Sequence, residues 1–386
     1  MSNIAAAALP AADATASSAA SSPASGVTLF DPIVLRDVRI RNRLWVAPMC
    51  QYSVEQRDGV PTDWHLVNLG AMAAGGAGLI IAEASAVSPE GRITDKDTGI
   101  WSDEQVQGWA RVVDFLHEHG ATAGIQLAHA GRKASTWPAW GTTERGTVPA
   151  DRGGWTAVAP STIAFPGYAE PVALDLAGID QIVADFTASA RRALTAGFDV
   201  LEVHAAHGYL LHQFLSPLSN DRIDEYGGPL ANRARLLLRV VEAVRAEIGD
   251  QVPLLVRFSG TDYAEDGWTV EETAVVAGWA RAAGADFFDI SSGGNVTGVT
   301  IPLSPGYQVP LARSVKENAQ VPVNAVGLIV TARQAAEIVE SGAADAVMLG
   351  REFLRDPHFA LRAAAELGVM VDYWPGQYER ATWPVA

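Results

Sequence analysis

The stretch that decides the fold is Trp45-Val46-Ala47-Pro48-Met49-Cys50-Gln51-Tyr52. The run from Arg43 to Ala47 is short and apolar after its first residue, and it predicts one buried β-strand. Pro48 lacks the backbone N–H that a central strand needs, so we expect the strand to end there. A methionine, the only cysteine of the chain and a tyrosine follow directly. Parallel α/β folds present reactive groups in this way, although the stretch taken alone favours packing roles for Met49 and Cys50.

Eight short apolar runs of this kind recur along the chain, and helical patterns separate most of them. The predicted strands cover residues 43–47, 78–83, 122–127, 198–203, 253–258, 285–291, 321–326 and 344–349. The predicted helices cover residues 64–74, 103–120, 179–196, 230–248, 270–283, 331–341 and 353–367. This alternation predicts an α/β fold of the parallel (β/α)8 type, a TIM barrel. A doubly wound sheet is the alternative, but the glycine-rich dinucleotide fingerprint that usually opens such a sheet does not follow the first strand.

Two further segments are predicted outside this repeat. Residues 30–40 alternate in hydrophobicity and predict a short N-terminal hairpin or plug ahead of the first strand. Between the third strand and its helix lie about fifty residues, a length that usually marks a functional cap in a compact domain. A surface excursion is the alternative. The large aromatic residues of this loop favour packing over another part of the protein, and they are Trp137, Trp140, Trp155 and Phe165.

Composition and charge limit the functions that the chain can have. Of its 386 residues, 48% are hydrophobic and 19% are charged, which is typical of a soluble globular protein. The formal net charge of −16 disfavours nucleic acid and anionic membranes as partners. A single cysteine cannot form an internal disulfide, and no apolar run approaches the length of a membrane span. We therefore expect a cytoplasmic protein.

The N-terminal 26 residues differ from the rest of the chain. They consist mainly of Ala, Ser and Pro, and they lack the basic start and the continuous apolar core of a secretory signal. Such a composition cannot bury enough surface to offset the conformational entropy of the chain. We expect a disordered tail at residues 1–26 and one barrel domain over residues 27–386.

Active sites of TIM barrels lie at the C-terminal ends of the strands. In this chain most of those ends carry polar groups, as the lining of a single pocket would. The residues at these ends, most of them polar, are Met49, Cys50, Tyr52, Glu83, Gln126, His129, His204, His207, Tyr209, Arg257, Ser291, Ser292, Gly327, Gly350 and Arg351. This concentration predicts one catalytic pocket at the C-terminal end of the barrel.

Two histidines and a tyrosine follow the fourth strand in the motif His204-Ala205-Ala206-His207-Gly208-Tyr209. Residues three apart on a strand face opposite sides, but on a helix they share a face. If a helix begins after Val203, both imidazoles reach one ligand atom and stabilise negative charge on a carbonyl oxygen. Tyr209 would then be a proton donor. A zinc site is one alternative, but no further ligand has suitable spacing, so we expect no metal. Two structural histidines at the start of a helix are the other, which the adjacent Tyr209 and the location at a strand end disfavour.

The last two strand ends predict an anion site. Gly327 and Gly350 let backbone N–H groups approach an anion, and Arg351 adds a guanidinium group where barrels often hold a phosphate. Arg257 places a second cation at a buried strand end, where it needs a partner. A flavin with its phosphate at Gly350 and Arg351 would supply that partner.

Several motifs together are those of a known family. They include Ala47-Pro48-Met49-Cys50-Gln51-Tyr52, the run from Gln126 to Lys133 and the run from His204 to Leu211. Others lie at residues 216–217, 220–222, 224–228 and 377–380. From about Leu29 to Trp383 the chain resembles the Old Yellow Enzyme family of FMN-dependent ene-reductases, in particular its thermophilic-like bacterial branch. Jointly these motifs are specific, although none of them is specific alone.

The resemblance implies a cofactor, a reaction and the residues that serve them. NADPH or NADH would reduce a non-covalent FMN, and hydride would pass in a ping-pong order to the β-carbon of an α,β-unsaturated carbonyl or nitro compound. His204 and His207 would hold the oxygen of the substrate, and Tyr209 would protonate the α-carbon. Tyr52 would line the substrate side. The implied FMN-binding residues are Ala47, Pro48, Met49, Cys50, Ala82, Gln126, Arg257, Gly350 and Arg351, to which the anion-site reasoning adds Gly327.

The resemblance also implies an oligomer. In the thermophilic-like branch the C-terminal segment, here about residues 374–386, crosses a two-fold interface and brings its arginine, here Arg380, to the active site of the neighbour. We therefore expect a homodimer or a higher even-numbered homo-oligomer. Relatives with an iron–sulfur cluster need several cysteines, and this chain has one.

Two other functions on the same barrel remain as alternatives. A Schiff-base aldolase would use Lys133 as its nucleophile. Lys133 follows the third strand by several residues, so we do not expect the low-dielectric surroundings that such a lysine needs. A catalytically silent binding barrel is the other alternative, and the polar strand ends disfavour it.

Overall fold

The eight barrel strands occur in the structure in the order that the sequence predicts. The computed structural model describes residues 26–383, so the predicted tail lies outside the described residues except for Gly26. The strands are β1 (Ile33–Leu35), β2 (Val38–Ile40), β3 (Leu44–Val46), β4 (Leu79–Ala86), β5 (Thr122–Ala128), β6 (Val158–Ala159), β7 (Val172–Ala173), β8 (Val200–Ala205), β9 (Leu254–Ser259), β10 (Phe287–Ser291), β11 (Val323–Ala325) and β12 (Ala346–Leu349). Strands β3–β5 and β8–β12 form a closed parallel barrel in chain order, in which β12 pairs with β3. The predicted TIM barrel is confirmed.

Helices connect the barrel strands on the outside. They are α1 (Asp63–Ala74), α2 (Asp103–Glu118), α3 (Leu176–Thr195), α4 (Leu210–Leu215), α5 (Leu230–Ile248), α6 (Val270–Ala282), α7 (Val309–Ala319), α8 (Ala332–Glu340), α9 (Arg351–Arg355) and α10 (Phe359–Glu366). Every residue of β4, β5, β8 and β9 is buried, as expected for strands that face the barrel interior on one side and helices on the other. Among the described residues, no helix is long and apolar enough to cross a bilayer.

The prediction of a single helix over residues 353–367 is wrong. The structure has two helices there, and Pro357 lies in the break between α9 and α10. A proline in the interior of a helix removes a hydrogen bond and clashes with the preceding turn, so a break at this position is expected. Helix α7 was not predicted. It has a proline in its first turn, where the missing N–H costs no hydrogen bond.

The predicted N-terminal hairpin is confirmed, and it closes one end of the barrel. Strands β1 and β2 pair antiparallel, with Ile33 opposite Ile40. Leu35 and Ile40 pack against residues near the starts of the barrel strands, among them Trp45, Leu79 and Phe287. Because this plug occupies the N-terminal end, the C-terminal end is the one left for a site.

The long segment between β5 and α3 lies over the C-terminal end of the barrel. It contains two short 3-10 helices, Gly131–Lys133 and Ala150–Arg152, and the small sheet of β6 and β7. Trp140 from this segment contacts the ring of Tyr52, with ring centroids 4.8 Å apart. Trp155 packs against the cluster that includes Cys50 and Tyr209. The expectation that this loop packs over another part of the protein is confirmed.

Candidate active site

One cavity opens beside the C-terminal ends of β3, β10, β11 and β12. Seven of the ten residues that were predicted to bind the cofactor line it, namely Ala47, Pro48, Met49, Arg257, Gly327, Gly350 and Arg351. Ser291 also lines the cavity, together with Tyr307, Gln308 and Arg355, which were not predicted. Residues that are distant in sequence therefore meet at one place, as the strand-end pattern indicated.

Backbone geometry and charge make this cavity suitable for FMN. Gly327 has φ +112°, and a Cβ there would lie 2.7 Å from Gln308 Nε2. Only glycine fits such a position, and it lets a ligand approach the backbone. Arg257, Arg351 and Arg355 place three guanidinium groups around the cavity, and Arg355 pairs with Glu352 at 2.5 Å. Guanidinium groups and accessible glycine backbone are what a phosphate needs, so the residues present fit the cofactor.

Arg257 already has an ionic partner inside the barrel, whereas the sequence prediction named only a flavin as a group that would supply one. Its Nε lies 2.8 Å from Asp289 Oδ2, and both side chains are buried. Glu202 is buried nearby and accepts a hydrogen bond from Gln126 Nε2 at 2.7 Å. Burial and the adjacent Asp289 raise the pKa of Glu202 to about 8. Burial also raises the pKa of Asp289, although Arg257 opposes this shift. One arginine therefore faces two carboxyl groups, and one of them holds a proton near neutral pH.

The two histidines after β8 converge, but not by the predicted route. Strand β8 continues to Ala205, and α4 begins only at Leu210, so the expectation of a helix after Val203 is wrong. His207 instead lies in a turn with φ +58°. This left-handed conformation turns its ring back toward His204, and the ring centroids are 5.2 Å apart. Ser259 Oγ accepts a hydrogen bond from the backbone N–H of His207 at 2.9 Å and fixes the turn.

Both imidazoles are neutral at physiological pH. Burial and the nearby Arg257 lower the pKa of His204 and of His207 well below the usual range. His207 Nε2 lies 2.7 Å from Ser291 Oγ, which positions the ring beside the cavity. Neutral imidazoles can donate hydrogen bonds to a substrate oxygen without introducing a buried charge.

Tyr209 lies next to this pair and keeps its proton. Its ring centroid is 5.1 Å from that of His204. Burial and the neighbouring Cys50 and Asp97 raise the pKa of its phenol well above the usual range. Tyr209 is therefore a phenol at neutral pH, as a proton donor must be.

Lys133 is more desolvated than predicted. Burial and the adjacent Arg132 lower the pKa of its amine to about 8, so the expectation that it would lack such surroundings is wrong. Its Nζ donates hydrogen bonds to His207 O at 2.8 Å and to Gly294 O at 3.0 Å. These bonds connect the loop after β8 to the loop after β10, so the amine stabilises the position of both loops. They also occupy the nitrogen that an aldolase would need as a nucleophile.

Cys50 and Tyr52 lie on the side of the site that the cap covers. Both pack in a cluster with Tyr209 and Trp155. Tyr52 has φ +48°, and this turn brings its ring against Trp140. The pKa of the Cys50 thiol is raised by burial and by the carboxyl groups of Glu83 and Asp97.

Other predicted residues are buried in the strands and do not line the cavity. Ala82 lies within β4, and Gln126 lies within β5 beside Glu202. Glu83 binds His65 and the backbone of Gln51. In the loop that follows β5, His129 Nδ1 accepts a hydrogen bond from Gly131 N at 3.0 Å.

Arg380 is not brought to this site within one chain. It is exposed in the 3-10 helix Gly376–Ala381. Tyr373, just before this C-terminal segment, accepts a hydrogen bond from Asn42, which comes just before the first barrel strand. The C-terminal segment therefore begins at the N-terminal end of the barrel, opposite the cavity.

Sequence reasoning missed residues for two different reasons. Glu202 and Asp289 lie in predicted strands, and a charged residue inside an apolar run was the available signal. Tyr307 and Gln308 come from the loop before α7, which was not predicted. Within residues 26–383, no group of three or more His, Cys, Asp or Glu side chains is arranged to hold a metal ion.

Comparison with known proteins agrees with this arrangement. Residues 28–369 match the sequence profile of the NADH:flavin oxidoreductase / NADH oxidase family. The NADPH dehydrogenase of Listeria innocua serovar 6a is 48% identical over 354 residues, which are 92% of this chain and 98% of that protein. The old yellow enzyme homologue from Zymomonas mobilis superposes with a TM-score of 0.74 at 30% identity, covering 92% of this chain and 98% of that one. A 2-naphthoyl-CoA reductase superposes with a TM-score of 0.79 at 26% identity over 89% of this chain, which spans about half (52%) of that longer protein.

Proposed function

Because this chain belongs to the NADH:flavin oxidoreductase / NADH oxidase family, we propose that it is an ene-reductase that reduces the C=C bond of α,β-unsaturated carbonyl compounds and of nitroalkenes. It is an NAD(P)H-dependent flavin oxidoreductase, and its cofactor is FMN. The proposal concerns the acceptor and the ping-pong order, in which NAD(P)H gives up its hydride and leaves as NAD(P)+ before the alkene binds. The observation that carries it is the convergence of two neutral imidazoles and one protonated phenol beside the cofactor cavity.

The residues of the cavity would hold FMN. We assign its anionic groups to Arg257, Arg351 and Arg355, with close approach of the backbone at Gly327 and Gly350. When bound, FMN supplies a hydride that comes from NAD(P)H. Met49 lines the same cavity, and Cys50 follows it directly in the chain.

The imidazoles of His204 and His207 would hold the carbonyl or nitro oxygen of the substrate. Hydride addition at the β-carbon puts negative charge on that oxygen, and N–H donors already in place stabilise it. Their neutrality supports this role, since each presents a donor without a charge that needs solvent. Tyr209 would then transfer its phenolic proton to the α-carbon.

We further propose that the active unit is a homodimer or a higher even-numbered oligomer, in which Arg380 of one copy completes the site of another. The exposed C-terminal segment supports this. Tyr378 and Trp383 keep 38% and 42% of their surface accessible, which is unusual for a cluster of aromatic residues. A two-fold assembly would bury such a patch in both copies.

The proposed function is tested with 2-cyclohexen-1-one and NADPH under anaerobic conditions. We expect one cyclohexanone for each NADPH oxidised. His204→Ala should lower turnover by roughly 10² to 10³-fold because it removes one donor to the developing oxyanion, while the content of bound FMN is retained. His117→Ala, a change outside the site at a partly exposed histidine, should leave turnover unchanged. NADPH oxidation without any cyclohexanone would contradict the proposal.

A further inference from the structure

The carboxyl group of Glu83 lies behind the loop that carries Cys50, and the mechanism above gives it no role. Glu83 belongs to β4, and the register of β4 against β5 shifts between Ala82 and Ala84. Such a bulge redirects a side chain that would otherwise follow the alternation of the strand. Glu83 is only 3% exposed, so a carboxylate at this place needs partners.

One partner is His65, whose tautomer follows from its contacts. The backbone N–H of Thr62 donates a hydrogen bond to His65 Nδ1 at 2.8 Å, so this nitrogen carries no proton. The proton of the neutral ring is therefore on Nε2, which lies 2.9 Å from Glu83 Oε1 in a close polar contact. A neutral imidazole does not cancel the negative charge of the carboxylate.

The second oxygen of Glu83 holds the loop after β3. Glu83 Oε2 accepts a hydrogen bond from the backbone N–H of Gln51 at 2.7 Å, and this N–H belongs to the peptide that joins Cys50 to Gln51. The side chain of Gln51 donates to Met49 O at 2.7 Å and accepts from Trp64 Nε1 at 2.9 Å. Glu83 therefore holds the backbone of the loop that passes from Met49 to Cys50 and Gln51, while Trp64 holds the Gln51 side chain.

We propose that Glu83, which lies against His65, is a positioning residue that fixes the Cys50–Gln51 peptide and places a buried negative charge beside the Cys50 side chain. This inference rests on the proposed function only in placing Cys50 beside the cofactor. A thiolate there would add negative charge next to a group that must accept electrons. A buried carboxylate close to the sulfur disfavours that second negative charge.

The titratable side chains that face Cys50 are two phenols and two carboxyl groups, each of which becomes negative when it loses its proton. They are Tyr52 on its own loop, Glu83 on β4, Asp97 in the segment after β4, and Tyr209 after β8. Burial is the largest cause of the raised pKa of the thiol, and the carboxyl group of Glu83 is the next. Removal of the carboxylate should therefore make the thiol more acidic, whereas a change that only loosens the loop should not.

The test is the pH profile of alkylation of the FMN-bound protein by iodoacetamide, followed by mass spectrometry. Only the thiolate reacts, and Cys50 is the only cysteine, so the profile reports this one group. For Glu83→Gln we expect the inflection to move down by at least about one pH unit, with a rate about tenfold higher than wild type near pH 8. Trp64→Phe removes a hydrogen bond to Gln51 without changing charge, and its profile should match that of the wild type.

A second variant covers the case in which glutamine at position 83 prevents folding. In Glu83→Met/His65→Leu, the carboxylate and the imidazole beside it are lost together, so no buried imidazole is left facing an apolar side chain. We expect the same downward shift in this variant. A wild-type profile in the folded Glu83 variants, or an equal shift in Trp64→Phe, would overturn the proposal. Because no alkene is used, these outcomes do not depend on whether the enzyme reduces alkenes.

Discussion

Replacing Glu202 with glutamine is expected to stabilise the protein at high pH and to leave its stability at low pH almost unchanged. The pKa of Glu202 is raised from 4.5 to about 8 because the side chain is buried beside Asp289. Between these two values the folded protein binds one more proton than the unfolded chain, so the free energy of unfolding falls as pH rises. A shift of this size corresponds to a loss on the order of 5 kcal/mol, which is complete only above the folded pKa. Glutamine resembles the protonated acid and can still accept the hydrogen bond of Gln126.

The assay is urea unfolding of the wild type and of Glu202→Gln from about pH 5 to about pH 9, read as the difference between the two proteins. That difference cancels the contributions of titrating groups that do not interact with Glu202. Glu242→Gln, at an exposed position on α5, is the matched control and should change stability little. If Glu202→Gln gives a constant difference across the range, Glu202 does not hold a proton in the folded barrel, and the description of the cluster with Arg257 and Asp289 is wrong.

Three further predictions concern the cofactor, the cysteine and the assembly. Denaturation should release FMN, because the cavity offers one phosphate site at Gly350 and Arg351; release of FAD, or retention of the flavin on the chain, would contradict this. Cys50→Ala should shift the flavin potential but leave turnover measurable, whereas complete loss of turnover with FMN still bound would indicate covalent chemistry. Arg380→Ala should raise the KM with the oligomer intact, and removal of residues 374–386 should weaken assembly as well, as measured by sedimentation and steady-state kinetics. A truncated protein of unchanged size and activity would limit the segment to a packing role.

The barrel was predictable because its strands are apolar runs that end at recognisable signals. Pro48 ends the first run, and the glycines after α1 lead into the second. At these positions the local sequence preferences and the overall fold agree, so the strands can be predicted from the sequence. The prediction failed where the effect of a proline depends on its position in a helix. Pro357 separates α9 from α10, and this break was not predicted. A proline in the first turn of α7 is tolerated, and this helix was not predicted either.

The site was predictable as a set of residues but less so in its geometry. Parallel strands bring their C-terminal ends together, so residues from distant positions could be placed at one cavity. The turn at His207 could not be predicted, because a non-glycine residue with positive φ depends on contacts such as the one with Ser259. The burial of Lys133 depends on a loop from another part of the chain, and no local pattern reports it.

The central claim is that Tyr209 acts on the alkene and not on the cofactor, and stopped-flow kinetics of Tyr209→Phe test it most directly. Flavin reduction by NADPH should proceed within about twofold of the wild-type rate, because that step needs no phenolic proton. Flavin reoxidation by 2-cyclohexen-1-one should slow by about 10²-fold or more, and by less with a nitroalkene, whose α-carbon depends less on protonation. An equal loss in both half-reactions would contradict the assignment of Tyr209 as the proton donor.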